Sequence, residues 1–190
     1  MKPQIRVLAI DDGPFTFSDK HCHVVGVVVR LPSYIEAVMK SEVAVDGRGA
    51  TSVIAKMVNG SRYKEQVKLI LLDGIALGGF NIIDIDRLNE ETGLSVATVT
   101  REPPDMGSVK EALRANFEDW EERWEIVARR KPRELDTGHK PIYVDVAGID
   151  FKEAEEIIRL SVVRGALPEP LRIAHLIATA LAKGESKGRA

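Results

Sequence analysis

A chain of 190 residues with 44% hydrophobic and 29% charged side chains is long enough for one well-packed domain and too short for two full-sized cores. With 27 Lys and Arg against 29 Asp and Glu, the formal net charge is −2, which excludes an overall cationic excess and confines any nucleic-acid contact to a local basic patch. The single cysteine, Cys22, excludes an internal disulfide, and no apolar run approaches the ~20 residues that span a bilayer. The first residues run from a short apolar stretch straight into Asp11 and Asp12 rather than a small-residue cleavage site, so a cytoplasmic protein is expected. Two Gln, four Asn and one Cys beside many Glu, Lys and Arg give a composition that resembles that of thermophile proteins.

The first half reads as strand-rich. Ile5–Ile10 is a continuous apolar run and His23–Leu31 is dense in valine, the pattern of strands buried on both faces. In Tyr34–Val45, Val43 and Val45 alternate with Glu42 and Ala44, and the short link Leu31-Pro32-Ser33 pairs it antiparallel with the strand before, giving a three-strand meander. After Asp46 the period changes. Ala50–Val58 has helical spacing, with Thr51 or Ser52 as N-cap and Asn59-Gly60 as stop; Val67–Leu72 is a buried strand; Asp84–Glu91 is a helix ending near Gly93; Leu94–Thr100 is a strand. Alternation of helix and strand implies crossover units and a parallel portion of the sheet. Val109, Leu113, Phe117, Trp120, Trp124 and Val127 recur at intervals of three and four, predicting one long amphipathic helix from Ser108 to about Arg130 whose aromatic stripe faces the core. Ile142–Val146 reads as a short strand, Phe151–Arg164 and Leu171–Leu181 as closing helices, and Lys183–Ala190 as a flexible tail beyond a single domain over residues 1–182.

Two apolar strands end in aspartate before a turn, Ile10-Asp11-Asp12-Gly13 and Leu72-Asp73-Gly74. In open sheets ligands gather at the carboxyl ends of strands, and a divalent cation needs carboxylate oxygens from separate elements, so Asp11 and Asp73 would meet if their strands are neighbours. Asp-Gly after a strand is also ordinary turn chemistry, as it is for Asp46-Gly47 at the end of the meander. His21, Cys22 and His23 are a poor metal cluster, because adjacent residues in a strand point to opposite faces. The basic run Arg129, Arg130, Lys131 and Arg133 is either a phosphate contact or the cationic end expected of a helix C-terminus. His175 borders the apolar face of the last helix, and Pro170 biases Glu169 toward an extended turn ahead of that helix.

The string Leu167-Pro168-Glu169-Pro170-Leu171-Arg172-Ile173-Ala174-His175 resembles the C-terminal segment of the endonuclease V family. Leu71-Leu72-Asp73-Gly74-Ile75-Ala76, followed by Gly79-Phe80, is similar to that family's strand with its metal-binding aspartate, and Ala9-Ile10-Asp11 to its first catalytic strand. Judged over the whole chain, the closer resemblance is to an archaeal family of uncharacterised proteins distantly related to endonuclease V. The resemblance implies a ribonuclease H-like three-layer α/β fold with a mixed sheet. It also implies cleavage of nucleic acid near a deaminated base with Mg²⁺ or Mn²⁺, in repair or RNA processing. It makes Asp11 and Asp73 metal ligands, puts His175 beside the same pocket, and sets Arg101 in the place of a family lysine that contacts a phosphate. Two departures stand out. The segment Gly49–Val58 has no acidic residue where endonuclease V supplies a glutamate, leaving Asp46 as a substitute, and Arg48-Gly49-Ala50-Thr51 replaces an aromatic wedge.

The expectation is therefore a nucleic-acid phosphodiesterase with a carboxylate site at Asp11, Asp12, Asp46 and Asp73. Its alternatives are a non-catalytic nucleic-acid or nucleotide-binding relative, or a structural or protein-interaction role in which the aspartates are turns.

Overall fold

The computed structural model describes residues 4–16 and 18–187. In chain order the elements are β1 (Arg6–Asp12), β2 (His21–Arg30), β3 (Tyr34–Ala44), α1 (Ala50–Asn59), β4 (Val67–Asp73), a small hairpin of β5 (Ala76–Leu77) and β6 (Asn81–Ile82), and α2 (Ile85–Thr92). They continue with β7 (Ser95–Thr100), α3 (Met106–Asn116), α4 (Trp120–Ala128), β8 (Arg133–Leu135), β9 (Ile142–Ala147), α5 (Phe151–Ser161) and α6 (Glu169–Lys183). The main sheet has seven strands in the order β3-β2-β1-β4-β7-β9-β8. The meander β1-β2-β3 is antiparallel as expected, with Ile10 opposite Gly26 and Val27 opposite Val38. The parallel portion is β1-β4-β7, with Ile10 opposite Leu72 and Leu72 opposite Thr98.

Strand alternation sorts the apolar residues into two cores. Val7, Ala9, Leu69, Leu71 and Val99 face α5 and α6, where Ile157, Ile158, Leu171 and Ala174 cover them. Leu8, Ile10, Ile70 and Leu72 face the opposite way, beneath Ile54 and Val58 of α1 and Ile85 and Leu88 of α2. Helices on both faces of a mixed sheet make the three-layer arrangement, and burial on both faces explains why β1 and β4 read as unbroken apolar runs.

Several local expectations change. Neither Thr51 nor Ser52 caps α1. Gly49 occupies the cap, and the free N–H of Ala50 donates to Oδ1 of the fully buried Asn81 at 2.9 Å, so the cap comes from β6. Thr51 instead accepts from the Asp84 N–H. Asp84 in turn caps α2 through the N–H groups of Asp86 and Arg87. Helix α6 begins at Glu169 rather than Leu171, because a proline in the first helical turn removes only an N–H that has no helical partner. Helix α5 stops at Ser161, short of Arg164. Of the expected tail, α6 reaches Lys183 and Gly184 caps it at φ 82°, while residues 188–190 lie outside the described residues. No helix among the described residues is long and apolar enough to cross a membrane.

The largest correction is the expected long helix, which is two helices broken at Phe117, whose backbone is extended at φ −132° and ψ 131°. Phe117 turns out to meet Phe80 edge-on at 5.6 Å, and the guanidinium of Arg123 lies 4.2 Å from its ring centre. Arg123, only 7% exposed, donates to the carbonyls of Asp46, Gly47 and Phe80 and to the Asp119 carboxylate. This one side chain ties α4 to the turn after β3 and to the β5-β6 hairpin. Arg123→Ala strands three carbonyls and a carboxylate, so it is expected to lower unfolding free energy by about 3 kcal/mol in urea titration; an unchanged midpoint would refute this anchoring role.

Candidate active site

Asp11 and Asp12 belong to strand β1, opposite Val25 and Val24, so they are paired strand residues rather than a turn. Side chains alternate along a strand, and Asp11 therefore shares the face of Val7 and Ala9 while Asp12 shares that of Leu8 and Ile10. On the neighbouring parallel strand, Asp73 follows Leu69 and Leu71 on the Asp11 face. The Ile10–Leu72 register carries Asp11 and Asp73 to the same level at the carboxyl ends of the two strands. On β7, Asp73 stands opposite Val99, and Arg101 lies two residues further on, past the strand end. Helix α6 crosses this face and delivers His175, whose Nδ1 lies 2.9 Å from Oδ2 of Asp11.

The two carboxylates are costly. Burial, followed by the charges of Asp73 and Asp12, pushes the Asp11 carboxyl from its ordinary 3.8 up to about 8. Burial also raises Asp73, against the opposing charges of Arg101 and His175. Asp11, Asp12, Asp73, His175, Thr179 and Lys183 line an open hollow of about 470 Å³. Asp12 borders that hollow, but its Oδ2 accepts the Gly78 N–H at 2.8 Å, and burial raises its carboxyl as well.

Asp46 does not line the hollow. It sits in the turn after β3 at φ 55°, and its Oδ1 accepts the Phe80 N–H at 2.8 Å. The backbone N–H of Asp46 donates to the Gly78 carbonyl, so Asp12 and Asp46 hold the β5-β6 hairpin from two sides. Behind Asp73, Gly74, Ile75 and Phe80 of that hairpin meet Thr98, Met106 and Val127 around a mostly apolar cavity of about 260 Å³. Sequence reasoning missed Arg123 and Asn81, which build the floor of this region; a polar residue whose partners are distant backbone groups leaves no periodic signal.

The remaining candidates are occupied elsewhere. His21 is exposed and Cys22 buried on alternate faces of β2, and burial lifts the Cys22 thiol to about 12, which is unsuited to a thiolate ligand. Arg129 pairs with Asp84, Arg130 with Asp86 and Asp145, and Arg133 lies over the Phe151 ring at 3.7 Å, within a strand the sequence did not announce.

The donor set of Asp11 and Asp73 suits a hard divalent cation. Both are oxygen donors from separate elements, and their burial beside one another is relieved by positive charge between them. Among the described residues no three His, Cys, Asp or Glu side chains form a ready-made metal cage, so a cation held by Asp11 and Asp73 would need water for the rest of its coordination. Because the folded protein favours the neutral form of Asp11 while the unfolded chain ionises at the ordinary value, stability measured in EDTA should fall as pH rises from about 4 to about 8. Asp11→Asn should flatten that decline; a melting temperature independent of pH over this window would contradict the burial of the pair.

Comparison with known proteins gives the family and the fold. The family profile described as Endonuclease dU matches residues 3–182. A UPF0215 protein of Methanothermobacter thermautotrophicus is 44% identical over 100% of this chain and 94% of its own length. One from Methanosarcina mazei is 45% identical over 100% and 97%. The crystal structure of an Archaeoglobus fulgidus protein of unknown function superposes with a TM-score of 0.83 at 40% identity, covering 93% of this chain and 98% of that one. Human endonuclease V superposes at 0.58 with 18% identity, covering 91% and 82%, and Ciona intestinalis endonuclease V, in complex with DNA containing an inosine followed by a ribo-adenosine, at 0.57 with 13%, covering 90% and 82%. The fold is thus the ribonuclease H-like fold of endonuclease V, and with a profile that spans nearly its whole length and archaeal relatives above 40% identity, the chain belongs to the Endonuclease dU family.

Proposed function

We propose that this protein is a divalent-metal-dependent endonuclease that cuts DNA beside a deaminated base, deoxyuridine in the first place. The observation that carries the proposal is the convergence of Asp11 and Asp73 on one face of two adjacent parallel strands, with His175 bonded to Asp11 and Arg101 at the end of the next strand. The family's name, and the inosine-containing DNA bound by the Ciona relative, support a deaminated base as the feature that is read.

In this reading Asp11 and Asp73 hold Mg²⁺ or Mn²⁺. The ion supplies an activated water and stabilises charge on the phosphate oxygens. His175 fixes Oδ2 of Asp11 and is placed to pass a proton at the edge of the hollow. Arg101 holds a phosphate oxygen next to the carboxylates. The apolar cavity behind Asp73 is sized and lined for a planar base taken out of the stack. Arg48, where endonuclease V has its wedge, is held by Asp119 and Glu122, so nothing there prises a duplex apart and single-stranded DNA is the better substrate.

A second reading keeps the nucleic-acid pocket and gives up the chemistry. It is favoured by the absence, among the described residues, of three His, Cys, Asp or Glu side chains placed to hold one metal ion, Asp12 at the rim being engaged by the Gly78 N–H. Labelled single-stranded and duplex DNA carrying one deoxyuridine, one inosine or neither, with RNA counterparts, separates the two when incubated with Mg²⁺ or Mn²⁺ beside an Asp73→Asn control. The endonuclease cuts near deoxyuridine, loses at least about 100-fold in the control, and prefers the single strand; equal silence of both proteins would leave the binding module. His175→Ala should lower kcat about 10- to 100-fold with little change in KM, since it orients a ligand rather than gripping DNA. A pure KM effect would move His175 to substrate binding.

A further inference from the structure

A second concavity, of about 780 Å³, opens beside Arg101. Its walls come from the end of β7, from the connection between β8 and β9 that carries Lys140 and Pro141, and from the connection between α5 and α6 that carries Val163 and Arg164. Four cationic side chains line it, Arg172 and the exposed Arg101, Lys140 and Arg164. Among the described residues none of Arg101, Lys140 and Arg164 has a carboxylate within ion-pairing distance. The one acid that lines the groove, Glu169, is already bonded by Arg172, whose Nε donates to Oε2 at 2.8 Å.

The chain as a whole carries a net charge of −2, and Arg6, Arg48, Arg87, Arg129, Arg130 and Arg159 all have carboxylate partners. In this groove the one acid is taken by Arg172, which leaves the other three cations unmatched. Apolar residues line the groove beside the cations, among them a Val163 that is 53% exposed. Positive groups along a groove with an apolar floor match a polyanion that carries flat, weakly polar groups between its charges. The groove lies at the same end of the sheet as the carboxylates, since Arg101, which lines it, comes two residues after Val99, the partner of Asp73 on β7.

We propose that this groove is the track for the sugar-phosphate backbone of one nucleic-acid strand, with Lys140 and Arg164 holding phosphates outside the cutting site and Arg101 holding the phosphate that enters it. The direction of the track rests on the endonuclease reading; the binding of the strand does not. An oligonucleotide is preferred to an acidic protein because apolar side chains line the groove together with the exposed cations, which suits bases carried between phosphates.

The test is fluorescence anisotropy of a labelled single-stranded oligodeoxynucleotide, without divalent metal, from 50 to 300 mM KCl. It compares the wild type, the Lys140→Ala/Arg164→Ala double variant, and a Lys56→Ala/Arg62→Ala control at the other end of the sheet, with thermal melting to show that each is folded. The double variant should bind about tenfold more weakly at 100 mM KCl, and the slope of log K against log salt should shrink by about 1.4, for two phosphates lost from a single strand. The control should match the wild type. Wild-type affinity and slope in the double variant would overturn the track, as would a wild type that does not bind the oligonucleotide at all, which would leave the groove to an acidic protein. Cleavage, scored separately in Mg²⁺, keeps the two proposals apart: a protein that never cuts but needs Lys140 and Arg164 to bind retains the track, and one that cuts while binding independently of them retains only the nuclease.

Discussion

The parallel pairing of β1 with β4 is the constraint on which the site depends. Once Ile10 stands opposite Leu72, the two-residue period of a strand leaves no freedom in where the next side chains go. Asp11 and Asp73 arrive at the same level, on the same face, at the end of the sheet where the strands stop and the helices have not yet begun. A slip of one residue in either strand would bury an aspartate among the apolar side chains beneath α1, which a core without polar partners resists at a cost of several kcal/mol. The apolar runs of β1 and β4 therefore do more than fill a core. They fix the register, and the register fixes the carboxylates.

The opposite face uses its carboxylates differently. Asp12 and Asp46 accept N–H groups of Gly78 and Phe80, and Arg123 gathers three carbonyls from the same region, so the β5-β6 hairpin is held as a rigid wall behind Asp73. Gly79 belongs to the same device. It lies at φ 86°, and a side chain there would collide with the Asp46 carboxylate, only 2.2 Å from where its Cβ would stand. One pair of acids is satisfied by backbone donors and shapes a wall. In the other pair, Asp11 is buried and accepts the Asp12 N–H beside its contact with His175, and Asp73 is half-buried.

Much of this was legible from residues alone. The meander and the parallel alternation that follows rest on local period, and the meeting of Asp11 and Asp73 on strand ends once their strands are neighbours, whereas the approach of His175 was implied only by the resemblance to endonuclease V. Asp12 shows how far that logic reaches. The alternation that separates His21, Cys22 and His23 separates Asp11 from Asp12 equally, and it is the stronger guide than the shared Asp-Asp motif. The break at Phe117 was not legible, because Phe117, Trp120 and Trp124 keep helical spacing across it. What breaks the helix is distant in sequence: the Phe80 ring and the carbonyls that Arg123 reaches. Strand β8 was hidden for a similar reason, its three residues being too few to show a period and two of them charged.

The distribution of charge joins the two ends of the site. In a protein where most arginines are matched with an acid, two kinds of unmatched charge lie side by side: buried carboxylates at Asp11 and Asp73, and exposed cations at Arg101, Lys140 and Arg164. They do not neutralise one another by direct contact, since no ion pair forms between the sets. Burial raises both carboxyls, so the arrangement costs stability when the site is empty of positive charge, and nothing in the packing of the core requires it. In the proposed reading a divalent cation would balance the first set and phosphates the second, and a metal-bound phosphodiester would be a single ligand that does both. The cost carried by the folded chain would then be the preorganisation of a site for that ligand, with donors and cations in place before the strand arrives.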